Sequence, residues 1–136
     1  DTEYKKQAIK ELITYAGFWD YDVDEQKDES YTRRRKFLAL TQLEATKLII
    51  DNNLIENNNY EKCVLFLGGY FAWKENGHSG LIAYEYEENI GDEYDSSYVT
   101  KEATRFNVAL ELVEKYAKLN DELAIKVLNF YNLNKK

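Results

Sequence analysis

The sequence predicts an α+β fold: a small sheet containing an antiparallel pair, packed by amphipathic helices in the order α-β-α-β-β-α-α. Three observations predict it. Apolar residues recur at helical spacing near both ends of the chain. Two short runs, Phe37-Leu38-Ala39-Leu40 and Cys63 to Leu67, are apolar on both faces, as strands covered from two sides are. Asn76-Gly77 lies between two strand-like stretches, and Asn-Gly is the strongest short hairpin signal. With 136 residues, 44% of them hydrophobic, the chain reads as one domain, 1–136, large enough to bury a core without disulfide or metal staples.

The first helix is expected from Thr2 to Phe18, with Tyr4, Ala8, Leu12, Tyr15, Ala16 and Trp19 as its stripe and Gly17 as a left-handed cap. Asp20 to Ser30 has no period and reads as a loop. Tyr31 to Leu40 reads as the first strand. Thr41 and Glu44 have capping-box spacing, opening a helix from Gln42 to Asn53. Asn52, Asn53, Asn57, Asn58 and Asn59 mark the next loop.

Lys62–Trp73 and Gly80–Glu88 read as the hairpin, pairing Trp73 with Gly80, Phe71 with Ile82 and Gly69 with Tyr84. Gly68-Gly69 in mid-strand marks a bulge or bend. Thr100 caps a helix whose stripe is Phe106, Ala109, Leu110, Val113, Tyr116 and Ala117. Asn120, Asp121 and Glu122 start another, with Leu123, Ala124, Val127, Leu128 and Tyr131 inward. One unbroken helix from Lys101 to Tyr131 is the alternative.

The charge is unevenly placed. Lys and Arg total 18 against 25 acids, a net −7 that disfavours nucleic acid as the main partner. From Asp20 to Ser30 six acids accompany one base, and from Tyr84 to Tyr98 six acids accompany none. The rest of the chain is mildly basic. The single cysteine forms no internal disulfide, which points to a reducing, cytoplasmic setting. No methionine is present, and Asp1 is read as following a removed leader or tag, or as merely the first residue given. The longest apolar run, Cys63 to Leu67, is far below the roughly 20 residues of a membrane span, so no membrane partner is expected.

Familiar chemistry is missing. Asp20, Asp22 and Asp24 alternate as in a calcium loop, but Glu25 stands where that loop needs glycine and Tyr31 where it needs a bidentate Glu. Cys63 with His78 as its base is disfavoured, because Cys63 opens an apolar run and His78 falls at the hairpin tip. Zinc spacings, phosphate-binding glycine loops and nucleophile elbows are absent, so no cofactor, metal or catalytic residue is expected and the protein is read as a non-enzyme. Arg33, Arg34, Arg35 and Lys36 form the one basic cluster, read as flanking a strand and pairing with the neighbouring acidic loop. The helix Gln42 to Asn53 followed by a hairpin distantly resembles a winged helix-turn-helix, which makes a nucleic-acid-binding protein using that cluster one alternative.

The tyrosines carry the functional expectation. Tyr84, Tyr86, Tyr94 and Tyr98 are interleaved with Glu85, Glu87, Glu88, Asp92, Glu93 and Asp95. Phenol rings give contact area at low rotamer cost, and surrounding carboxylates steer a basic partner. In size and charge the chain is similar to small acidic inhibitors, such as immunity proteins and phage-borne proteins that block a nucleic-acid enzyme. The expected function is therefore a binding module that masks a basic, nucleic-acid-facing surface of a partner protein. Tyr84 to Tyr98 would make the contact, with Asp20, Asp22 and Asp24 beside it. A small-molecule-binding domain with a tyrosine-lined pocket is the other alternative. Neither the partner nor the oligomeric state is written in the sequence.

Overall fold

The computed structural model describes residues 2–17, 29–76 and 101–135. They form α1 (Thr2–Ala16), α2 (Glu29–Asp51), a 3-10 turn (Glu56–Asn58), α3 (Asn59–Asn76), α4 (Lys101–Lys118) and α5 (Glu122–Asn134). Among the described residues the protein is all-helical and has no strand, which overturns the α+β expectation. The stretch read as a first strand, Tyr31 to Leu40, is the front half of α2. The first hairpin strand, Lys62 to Trp73, is α3, which runs through Asn76 and so occupies the first half of the expected turn. Gly77 and the second strand, Gly80 to Glu88, lie outside the described residues.

The physical reason is burial pattern. In α2 the buried residues are Ala39, Thr41, Gln42, Ala45, Thr46 and Ile49, spaced as one helical face. Of the run read as two-faced, only Ala39 is buried; Phe37 and Leu40 are exposed. Thr41 is no cap: its hydroxyl donates to the Phe37 carbonyl at 2.8 Å inside the helix. Thr46 bonds the Gln42 carbonyl in the same way. In α3, Cys63, Val64, Phe66, Leu67, Phe71 and Ala72 are all buried. A helix apolar nearly all round is one packed on several sides. That role fits its neighbours, for α3 touches α2, α4 and α5, whereas α1 lies on α2.

Contacts fix the directions. Gln42 of α2 lies against Gly69 of α3 and the two helices meet at the short 52–58 corner, so they are antiparallel. Gly68 faces Ala109, and Glu75 bonds Lys115, so α3 and α4 run parallel. Tyr60 meets Tyr131 near one end of α3, so α5 returns antiparallel to it. The C-terminus of α3 and the N-terminus of α4 therefore stand at opposite ends of the bundle.

The glycine pair serves helix packing rather than a bulge. A Cβ on Gly68 would lie 2.4 Å from Ala109 Cβ and 2.5 Å from its Cα, so α3 and α4 touch backbone to backbone. Gly69 leaves room for the buried Gln42 amide, whose Nε2 donates to the Ala16 carbonyl at 3.1 Å. One side chain of α2 thereby ties down the last turn of α1. Gly17 follows with its N–H on the Ile13 and Thr14 carbonyls, without the expected left-handed φ. The face α1 buries is Ile9, Leu12, Ile13 and Ala16; Tyr4 and Tyr15 of the expected stripe are exposed.

Two helix ends carry the same cap. After α2, Asn53 has φ 50°, its N–H bonds Ile50 O, and Leu54 N–H reaches back to Ile49 O. After α4, Asn120 has φ 68°, its N–H bonds Ala117 O, and Asp121 N–H reaches Tyr116 O. Both are Schellman motifs with asparagine in the left-handed position. Asp121 is also the N-cap of α5, its carboxylate accepting from Ala124 N–H at 2.9 Å. The break therefore decides for two helices over one, and the stripes expected for both face the core. Asn120→Gly should hold or raise stability, whereas β-branched Asn120→Val should cost about 1–2 kcal/mol, the penalty of a left-handed Cβ. Urea midpoints check this; equal midpoints for the two variants would refute the cap.

Candidate functional site

The residues expected to contact a partner all fall outside the described residues. Asp20, Asp22 and Asp24 lie between α1 and α2; Tyr84, Glu85, Tyr86, Glu87, Glu88, Asp92, Glu93, Tyr94, Asp95 and Tyr98 lie between α3 and α4. His78 and Thr100 also lie outside. Of the basic cluster, Arg33 and Lys36 are exposed on the early turns of α2, not beside a strand. The wing that a winged helix-turn-helix requires is replaced, as far as Asn76, by α3.

The structure brings together a different set. One face of α1 and the corner between α2 and α3 enclose an open-sided cleft of about 610 Å³. From α1 come Lys5, Lys6, Ile9, Lys10 and Ile13; from the corner come Leu54, Ile55 and Glu56; from α3 come Asn59 and Lys62. The spacing of α1 dictates this arrangement. Positions 5, 6, 9, 10 and 13 share one side of a helix, so burying Ile9 and Ile13 carries the lysines to the rim. The asparagines let the corner turn tightly: Asn57 and Asn58 hold φ 59° and 58°, a region asparagine tolerates better than other side-chain-bearing residues.

Asn59 is 6% exposed, and its Oδ1 is buried with no hydrogen-bond partner. Lys6 lies 3.8 Å from Glu3, both well exposed. Lys5, Lys10 and Lys62 have no carboxylate within 4 Å among the described residues. Sequence reading missed this site. It put Lys62 in a strand and the asparagines in a plain loop. Lys5, Lys6 and Lys10 at helical spacing were the one available signal, and nothing local linked them to Lys62.

Two other polar groupings are structural. Lys115 Nζ and the Tyr116 hydroxyl both donate to Glu75 Oε2, at 2.6 and 3.0 Å, tying α4 to the end of α3. The Lys115 hydrogen bond holds the Glu75 carboxyl below its ordinary range, while burial and Glu75 push the Tyr116 phenol up. Cys63 is fully buried, its thiol donating to the Tyr60 carbonyl at 3.0 Å, and burial pushes it up to about 12. A thiol so protonated and enclosed supplies no nucleophile at neutral pH.

Among the described residues no three His, Cys, Asp or Glu side chains converge as metal ligands, and no helix is long and apolar enough to cross a membrane. No family model, curated protein or solved structure matches the chain.

Proposed function

We propose that this protein is a small acidic binding module that masks a basic, nucleic-acid-facing surface of a partner protein, with Tyr84 to Tyr98 as the contact and Asp20, Asp22 and Asp24 beside it. The supporting observation is how charge divides along the sequence. Residues 18–28 and 77–100 hold eleven acids and one base, Lys27, whereas the described residues hold 16 bases and 13 acids. The helices already bury their apolar faces on one another in a common core. Negative charge concentrated in two stretches of sequence, in a chain whose described residues are net basic, suits electrostatic capture of a basic surface, with tyrosine rings as anchors.

The test starts from the partner recovered by pull-down from host extract. The quadruple variant Glu87→Lys, Glu88→Lys, Asp92→Lys and Asp95→Lys should associate about tenfold or more slowly at low salt, with a flatter salt dependence. Duplex DNA should compete with the wild-type protein for that partner. An unchanged on-rate would dispose of the proposal.

A further inference from the structure

α2 carries apolar residues on the wrong side for the core. Its buried face runs from Ala39 to Ile49, whereas Phe37 and Leu40, one turn apart on the opposite side, are 59% and 40% exposed. Tyr15 of α1, 50% exposed, extends the patch. Its ring meets Phe37 edge to face, with centroids 5.9 Å apart. An apolar cluster rimmed by charge marks an interaction surface, unlike the single apolar residues scattered over most proteins.

The residues around the cluster say what covers it. Arg33, Phe37, Leu40, Glu44 and Lys47 follow one another in steps of four, three, four and three, and all are exposed. That is heptad spacing, which keeps one seam turned toward a second helix. At 3.6 residues per turn, the first four fall within about 60° of arc. The stripe is also symmetric: about a point between residues 38 and 39, Phe37 mirrors Leu40 and Arg33 mirrors Glu44. That point lies near the middle of the 23-residue helix. Laid antiparallel on a copy of itself, α2 sets Phe37 against the copy's Leu40 and Arg33 against the copy's Glu44. The two-fold makes every contact twice. Charge fixes the direction, because an in-register parallel pair would bring Arg33 onto Arg33 and Glu44 onto Glu44. Arg33 has no carboxylate within 4 Å among the described residues, and Glu44 has only the exposed Lys47 at 3.5 Å, a pair worth little in water.

We infer that this protein pairs with a second copy of itself through α2, as an antiparallel two-fold dimer centred on Phe37 and Leu40. Arg33 and Glu44 close the two ends of the seam, and the Tyr15 rings flank its apolar centre. This surface is separate from the acidic segments proposed to bind a partner protein, so either reading can fail alone.

The experiment is analytical ultracentrifugation of the whole chain over about three decades of concentration up to about 1 mM, which covers the affinities of small interfaces. The mass should rise from 16.1 kDa toward twice that value. Phe37→Asp with Leu40→Asp should hold it at 16.1 kDa. Arg33→Glu and Glu44→Arg, each alone, bring like charges together at both ends of the seam and should raise the dimer Kd about tenfold. Mixed one to one, those two variants should recover wild-type affinity to within about threefold, because every charge then meets its opposite. Arg33→Glu combined with Glu44→Arg in one chain should recover it unmixed, a rescue that mere loss of stability would not allow. A chain that stays at 16.1 kDa throughout leaves the stripe to another occupant and overturns the proposal. So does a dimer indifferent to Phe37→Asp with Leu40→Asp, or a mixture of the two charge variants that associates no better than either alone.

Discussion

Replacing Gly68 by alanine should lower stability by about 2–3 kcal/mol, although alanine is the better helix former by about 1 kcal/mol. The new methyl carbon would sit 2.4 Å from Ala109 Cβ, 2.5 Å from Ala109 Cα and 2.9 Å from Ala109 O. Two of those atoms are backbone, so no rotamer relieves the overlap, and α3 must move away from α4. The contacts that depend on this approach would go with it: the Phe71–Tyr116 stack at 4.0 Å between ring centres, and the Glu75–Lys115 ion pair. Ala109→Gly should recover only part of the loss, because the Ala109 Cα and carbonyl remain in the way. Urea unfolding of the two single variants and the double variant measures this coupling. A Gly68→Ala midpoint at or above wild type would show that the helices are not held at backbone contact.

Gly69 is the internal control for that reasoning. A methyl there would lie 2.5 Å from Gln42 Oε1, the far end of a flexible side chain rather than a backbone. Gln42 can give way, but only by abandoning the Ala16 carbonyl at the end of α1. The cost is then one buried hydrogen bond, about 1 kcal/mol, instead of a displaced helix. Neighbouring glycines in one helix thus answer to different constraints, one set by a helix axis and one by an amide.

Those glycines also show why the fold was only partly legible. α1, α4 and α5 carry one apolar face each, and their period survives in the residue order. Asn53 likewise marked the end of one helix, and Asn120 to Glu122 the start of another. α3 gave no such signal, because a central helix is apolar on most sides and two glycines interrupt it. A run from Cys63 to Leu67 looks the same in a buried helix as in a doubly covered strand. In α2 the period was hidden differently: Thr41, Gln42 and Thr46 are polar yet buried, while Phe37 and Leu40 are apolar yet exposed. Once Tyr31–Leu40 is taken for a strand, Thr41 looks like a cap. The lysine cleft is a tertiary coincidence of α1 with the start of α3, and no local pattern encodes it. The acidic tyrosine segments, legible from composition alone, lie outside the described residues.

Alkaline pH should destabilise the wild-type protein more steeply than a Cys63→Ser variant, because the one thiol is buried. Cys63 has no access to solvent, and burial pushes it from 9.0 up to about 12. In the unfolded chain the thiol ionises near its ordinary value. The group with the raised folded value binds its proton more tightly in the native state, so its contribution is fully present below pH 9. It then shrinks as pH rises, until the folded thiol itself ionises near 12. At about 1.4 kcal/mol per pH unit, the span from 9.0 to about 12 corresponds to roughly 4 kcal/mol. Serine keeps a donor for the Tyr60 carbonyl but does not titrate in this range. The difference between wild type and Cys63→Ser therefore isolates the thiol from the tyrosines and lysines that ionise in both proteins. Between pH 9 and 11 the wild-type unfolding free energy should fall faster than the variant's by about 1.4 kcal/mol per pH unit. Parallel pH profiles would mean that the thiol ionises as readily folded as unfolded, which a sulfur enclosed between α3 and its neighbours cannot do.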